Sequence, residues 1–256
     1  VTVFLAACAT KVSLYILLRI DFFVFQQNLS GHDFQFSYFL MPLSLLAILI
    51  ASAVAMFEPN LKRLLAWSSV AQIGYITLGA SLVSVAGLTA SLLHMFNHAL
   101  AKGALFLVLA CLGMSLRHLR IENIAGIAKQ MPWTMAAFVL AGLSLIGVPG
   151  TAGFISKWYL ITAALDAGPW GPALIAIIII SSLMAVVYIW RIVEIAYFKP
   201  ADEQAAVNEK GVSEAPLLLL LATWTAVALN FYFGLSAALP VELADSAARI
   251  LMGHMR

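Results

Sequence analysis

The chain has 256 residues, of which 63% are hydrophobic and only 10% charged, and it carries a net charge of +2. Soluble domains sit nearer roughly 45–50% apolar and about 25% charged, so this composition excludes a soluble globular fold and points to the membrane. A charge this small and this scattered excludes a nucleic-acid partner.

A bilayer core of about 30 Å needs roughly 20 apolar residues of helix. Seven stretches reach that length, at about 1–25, 36–57, 63–84, 86–113, 133–166, 170–198 and 216–238. The expected fold is therefore an all-α polytopic membrane protein with about seven transmembrane helices. Residues 1–238 are expected to form the transmembrane domain, and 239–256 an interfacial or extramembrane tail suited to an amphipathic helix. The first stretch begins without Met inside an apolar run, so the chain is expected to be the C-terminal portion of a longer protein. Cys8 and Cys111 lie in apolar runs and form no CxxC pair, which reads as small core residues.

Counted over alternate loops, one side receives Lys62, Arg63, Arg117, Arg120, Lys129, Lys199 and Lys210. The loops of the other side receive none, and only the tail adds Arg249 and Arg256. Basic residues accumulate on the cytoplasmic side, so the first stretch runs outward.

The fourth stretch holds "SLLHMFNHALAKGALFLVLA", in which His94, His98 and Lys102 are spaced by four and share one helical face. Three proton-binding stations thus stand about 6 Å apart along one axis. Lys11 and Lys157 also lie well inside their stretches. A charge at the bilayer centre costs at least about 2.5–3.5 kcal/mol, so such residues face the bundle interior or water. Desolvation disfavours an ammonium, which makes a buried lysine readier to release its proton. Together Lys11, His94, His98, Lys102 and Lys157 read as a proton relay, with Ser69, Gln72 and Tyr75 among the polar side chains placed to support bridging waters. Asp21, Glu58, Asp166 and Glu194 lie near segment ends, so the buried lysines have no evident carboxylate partner in this chain.

The fifth stretch, at 133–166, would make a helix of about 51 Å, too long to span upright. Its middle reads "GVPGTAGF", where Gly147, Pro149, Gly150 and Gly153 predict a helix broken over 147–153. Unwound backbone at membrane depth is tolerated where it is enclosed by protein or lines a wet cavity, and broken helices mark ion sites in transporters.

Blander readings compete with these. A lysine near a helix end usually snorkels, which is the alternative for Lys11. His94 and His98 can serve as packing residues, and the glycines can be contact points between helices. Other chemistries fail: "HMFNH" has Met where a zinc protease needs Glu, both histidines share one helix, which rules against a bis-histidine haem, and no glycine-rich phosphate loop is present. No metal, cofactor or catalytic residue is expected.

Four stretches, "ATKVSLYILLR", "NLKRLLAWSSVAQIGYI", "HMFNHALAKGALFL" and "GLSLIGVPGTAGFISKW", resemble the antiporter-like family over about residues 1–198. This family comprises the large subunits of Mrp-type monovalent cation/proton antiporters and the proton-pumping membrane subunits of respiratory complex I. The resemblance implies a fourteen-helix fold, of which this chain would hold helices eight to fourteen. It makes Lys11 the central relay lysine, His94, His98 and Lys102 the helix-eleven file, and Lys157 the outward half-channel lysine. The family's glutamate–lysine pair would lie upstream of residue 1. One complex I branch carries an acidic residue where Lys157 stands, so the chain looks closest to the D-type subunit of the cation/proton antiporters. The function implied is proton conduction within a multisubunit Na+/H+ antiporter of a bacterial inner membrane. The alternatives are a proton-pumping subunit of a complex I-like oxidoreductase and a non-conducting scaffold subunit. Partners would be other membrane subunits, protons, the bilayer and, in the antiporter reading, Na+.

Overall fold

The computed structural model describes residues 2–22, 37–200 and 212–253. Among them the structure is helical, with no strand longer than a single bridge between Asn60 and Arg120. The loop expected at 26–33 and most of the 199–215 connection, with Lys210, lie outside the described residues, as does Arg256.

Thr2–Phe4, Leu5–Ala9 and Thr10–Ile20 follow one another as a single helix, α1, in which Leu5–Ala9 take the wider π geometry. Such π segments are rare and often stand at functional sites; this one ends two residues before Lys11. Next come α2 (Ser37–Phe57), α3 (Leu61–Ser81) and α4 (Val85–Ser115). The α3 start is set by Asn60, whose Oδ1 accepts from the N–H of Lys62 at 3.0 Å and of Arg63 at 3.3 Å. The α4 start is set by Ser84, whose Oγ accepts from Gly87 N–H at 3.0 Å.

The fifth expected span is two helices, α5 (Pro132–Ile146) and α6 (Ala152–Leu165). At 15 and 14 residues they are about 22 and 21 Å long, each short of a bilayer core. Then follow α7 (Gly171–Phe198), α8 (Leu217–Leu235) and α9 (Ala238–Gly253). Four described helices are long and apolar enough to cross a membrane on their own: Phe39–Phe57, Val85–Ser115, Gly168–Phe198 and Leu217–Leu235. The 21-residue α3 has the length but is more polar, and most of it is enclosed by its neighbours.

α4 is the central post, with α1, α3, α5, α6, α8 and α9 packed around it. Its inward residues include Ala104, Leu105, Val108 and Leu112, each at most 1% exposed. The tail is a helix, α9, that lays Ala244, Ala248 and Leu251 against Leu92 and Leu93 of α4 and Leu18 of α1. Its i, i+4, i+7 spacing puts these three on one face. α7 turns Ile179, Ile180, Leu183, Val186 and Val187 outward, an apolar surface suited to lipid or a neighbouring membrane subunit. Arg191, near the end of α7, donates from Nη1 to the Met56 carbonyl at 2.8 Å. It thereby caps the last turn of α2 instead of only reaching for the interface.

Candidate functional site

The site forms where α3, α4 and the broken pair α5–α6 meet. Gly147 ends α5 in the left-handed region with φ +91°, and its N–H and that of Val148 both donate to Leu143 O at 3.0 Å. Only glycine takes that conformation without a steric cost. Gly150 repeats it with φ +88°. The break therefore covers 147–151, and Gly153 falls in the first turn of α6. There its missing side chain matters for a different reason: a Cβ would collide with the Ser144 carbonyl. Gly234 of α8 makes the same allowance for the backbone at Gly150 and Thr151.

The unwound segment is held from both sides. Asn97 of α4 donates from Nδ2 to Ala152 O at 2.6 Å. Ser144 Oγ donates to Asn230 Oδ1 of α8 at 2.9 Å and accepts from Gly153 N–H at 3.3 Å. Thr151 Oγ1 returns to Val148 O at 2.7 Å.

Ending α5 at Ile146 leaves its last carbonyls without helical partners. Lys157, one turn into α6, fills that gap: its Nζ donates to Ile146 O at 2.8 Å, Leu145 O at 3.3 Å and Ser182 Oγ of α7 at 2.9 Å. A cation is favoured at this end of a helix because the peptide dipoles point their negative pole there. The break thus supplies the negative potential that the sequence lacks in carboxylates. Lys157 also sits 5.0 Å above the Tyr75 ring. On its outer side, Gly147, Phe154, Trp158, Ile179, Ser182 and Leu183 help to line a cleft of about 230 Å³ that reaches this lysine.

His94, His98 and Lys102 are almost wholly buried, at 2%, 3% and 0% exposure. His94 Nε2 meets Gln72 Oε1 at 2.9 Å and Nδ1 meets Ser156 Oγ at 2.8 Å. With Gln72 Oε1 as acceptor, Nε2 carries the proton of the neutral ring and Nδ1 accepts from the Ser156 hydroxyl. That hydroxyl has a second acceptor, Gly153 O at 3.2 Å. When Nδ1 gains a proton, the hydroxyl turns to Gly153 O and accepts from Nδ1. His94 can therefore change protonation without losing a hydrogen bond. Tyr75 stands edge-on to His94 with centroids 5.4 Å apart, so one ring touches both His94 and Lys157.

The His98 ring stacks on His94 at 6.3 Å and 6°. Its two nitrogens are buried and have no hydrogen-bond partner among the described residues. One turn on, Lys102 Nζ donates to Leu65 O at 2.8 Å and, in a short contact, to Ser68 Oγ. Lys11, 8% exposed, bonds Thr10 Oγ1 at 3.3 Å and lies near enough for its charge to act on His94, His98 and Lys102.

The structure thus brings Lys11, His94, His98, Lys102 and Lys157 into one buried file, with Gln72 and Tyr75 inside it. Ser69 does not touch a relay side chain itself; its hydroxyl donates at 2.9 Å to Leu65 O, the carbonyl that also accepts from Lys102. Ser68 stands in its place, because Lys102 meets α3 one residue earlier. Ser156 and Ser182 were not singled out in the sequence. Ser156 is adjacent to Lys157 in "FISKW", whereas nothing local distinguishes Ser182 in "IISSLM".

Residues 1–187 match the family described as NADH:quinone oxidoreductase/Mrp antiporter, transmembrane. NADH-quinone oxidoreductase subunit N of Desulforudis audaxviator is 42% identical over 212 residues, 83% of this chain and 42% of that protein. The subunit N of Rhodospirillum rubrum is 29% identical over 98% of this chain and 49% of its own length. Among solved structures, the Mrp complex from Dietzia sp. DQ12-45-1b superposes with a TM-score of 0.84 at 25% identity, covering 95% of this chain and 51% of that one. Respiratory complex I from Thermus thermophilus gives 0.65 at 26% identity over 80% of this chain and 45% of that one. The chain spans about half the length of the curated relatives it matches. This all-helical, multi-pass membrane chain belongs to the NADH:quinone oxidoreductase/Mrp antiporter transmembrane family.

Proposed function

We propose that the chain conducts protons along the file Lys11, Lys102, His98, His94 and Lys157 as part of a membrane subunit of a redox-driven, complex I-like assembly in a bacterial cell membrane. The observation that carries proton conduction is the bonding of Lys102 and Lys157. Both are buried, and both are held by carbonyl and hydroxyl oxygens, which favour an ammonium but still accept from the N–H groups of a neutral amine. A deprotonated amine keeps two N–H donors, enough for both acceptors of Lys102 and for two of the three around Lys157, whereas a lysine locked to a carboxylate gives up its proton far less readily. His94, with its turning Ser156 hydroxyl, has the same property. A proton entering the file raises the cost of a second on its neighbour through like-charge repulsion in a low dielectric, and so drives it onward. Lys157, at the helix break, is the last station of the file.

The redox-driven reading draws support from the 42% identity to an NADH-quinone oxidoreductase subunit N. A second reading, the D-type subunit of an Mrp-type Na+/H+ antiporter, draws support from the likeness to the Mrp complex over 95% of the chain. Everted vesicles expressing the full-length gene with its native neighbours separate the two. Acidification of the lumen on adding the electron donor, with no response to Na+, supports the redox-driven pump. Collapse of a preformed ΔpH by Na+ overturns it in favour of the antiporter.

A further inference from the structure

At the end the basic-residue count makes cytoplasmic, the α2–α3 and α4–α5 connections are stitched together. Leu61 N–H donates to Leu119 O and Ile121 N–H to Pro59 O, both at 2.9 Å, on either side of the Asn60–Arg120 bridge. The stitching gathers Lys62, Arg117, His118 and Arg120 around a pocket of about 420 Å³, closed by Asn60 and Leu119. No acidic side chain lines it, and none of the four basic groups has a carboxylate partner among the described residues. Nearby Glu58 is occupied, its Oε1 accepting from Asn60 N–H at 3.0 Å.

A positive loop alone reports only topology. Here a second pocket of about 280 Å³ lies beside the first, with Lys62 and Leu119 lining both. This second space is apolar, walled by Val3 of α1 and by Phe106, Leu109, Gly113 and Met114 of α4. Gly113 keeps it open, since a Cβ there would meet only Leu119 Cδ1, at 3.8 Å. A basic cup joined to an apolar groove along a membrane helix has the two-part chemistry of one molecule class. Basic pockets between helices on the cytoplasmic side take phosphate headgroups, and an acyl chain needs the groove below.

We propose that this composite pocket binds an anionic phospholipid, with the phosphate among Lys62, Arg117, His118 and Arg120 and an acyl chain along α4 past Gly113. The site is separate from the proton file and does not rest on the conduction reading.

The test places the full-length protein in phosphatidylcholine nanodiscs with a small fraction of chain-spin-labelled phosphatidylglycerol and reads the immobilised label by electron paramagnetic resonance. Labelled phosphatidylcholine is the reference, and Lys129→Gln is a control basic residue on the same side. The expected result is an immobilised phosphatidylglycerol component above the phosphatidylcholine level. Arg117→Gln/Arg120→Gln and Gly113→Leu should each reduce it at least threefold, with Lys129→Gln leaving it unchanged. Gly113→Leu retains every basic group, so it decides the matter even if the double variant does not fold. Equal immobilisation of the two lipids in the wild type overturns the proposal, as does a component that persists in Gly113→Leu. Displacement of the label by millimolar inorganic phosphate also overturns it, assigning the cup to a free anion.

Discussion

Lys157 Nζ rests 2.8 Å from the carbonyl oxygen of Ile146, eleven residues back across the break that separates α5 from α6. A continuous helix would bury that carbonyl in its own ladder; the break releases it and gives a membrane-embedded lysine its acceptor. The broken helix and the buried cation are thus one device.

That coupling separates the two left-handed glycines. Gly147→Ala and Gly150→Ala both force a side chain into the left-handed region, at about 1–2 kcal/mol each. A Cβ at Gly150 meets nothing within 4 Å, whereas one at Gly147 lies 2.9 Å from Lys157 Cδ. Both variants should lose a few degrees of thermal stability. Only Gly147→Ala should also slow proton transport, by fivefold or more, and paired melting and vesicle assays of the two variants read this directly.

Ser68 and Ser69 are neighbours on α3 with different duties. Ser68→Ala strips a partner from the buried Lys102 amine, a cost of about 1–3 kcal/mol for an unsatisfied buried group. Ser69→Ala removes only one of three side-chain donors to the Leu65 carbonyl, which keeps those from Ser68 and Lys102. Ser68→Ala should reduce conduction several-fold and lower the melting temperature, while Ser69→Ala should match the wild type in both measurements.

Tyr75 meets Lys157 and His94 with its ring, while its hydroxyl makes a long 3.4 Å bond to Ile178 O and lies beside Ser181 and Ser182. Tyr75→Phe should therefore conduct within twofold of wild type. Tyr75→Leu removes the aromatic face under Lys157 and the edge contact to His94, a cation–π contribution of about 0.5–2 kcal/mol. It should slow conduction severalfold, as read from initial rates of vesicle acidification.

Much of this arrangement is legible in the sequence, and the residues show why. Spacing by four sets His94, His98 and Lys102 on one face of any helix, whatever surrounds it. Gly147, Pro149 and Gly150 break a helix by local sterics, so the break is visible without its neighbours. Segment lengths follow from bilayer thickness, which is why α2, α4, α7 and α8 fall where hydropathy puts them. Less legible is what depends on how helices rotate against one another. Whether Ser68 or Ser69 faces Lys102 is a matter of 100° around α3. Ser182 is one hydroxyl among several on α7 until the fold lays it on Lys157. The tail's amphipathic pattern shows a helix, but not that Ala244, Ala248 and Leu251 close over α1 and α4. The acceptor at Ile146 O is a backbone atom that no residue type announces.

The central claim is that protons cross this chain through its buried lysines, and the direct measurement is the initial rate of proton transport in everted vesicles carrying the fully assembled complex. Wild type is compared with Lys157→Met, Lys102→Met and the surface control Lys129→Met. Met keeps the reach but leaves the Leu65 or the Leu145 and Ile146 carbonyls without their donor, at about 1–3 kcal/mol per group, so rates are taken per assembled complex. At least a tenfold loss of transport is expected in both buried-lysine variants and wild-type rates in Lys129→Met. Wild-type transport in assembled Lys157→Met and Lys102→Met complexes would contradict it.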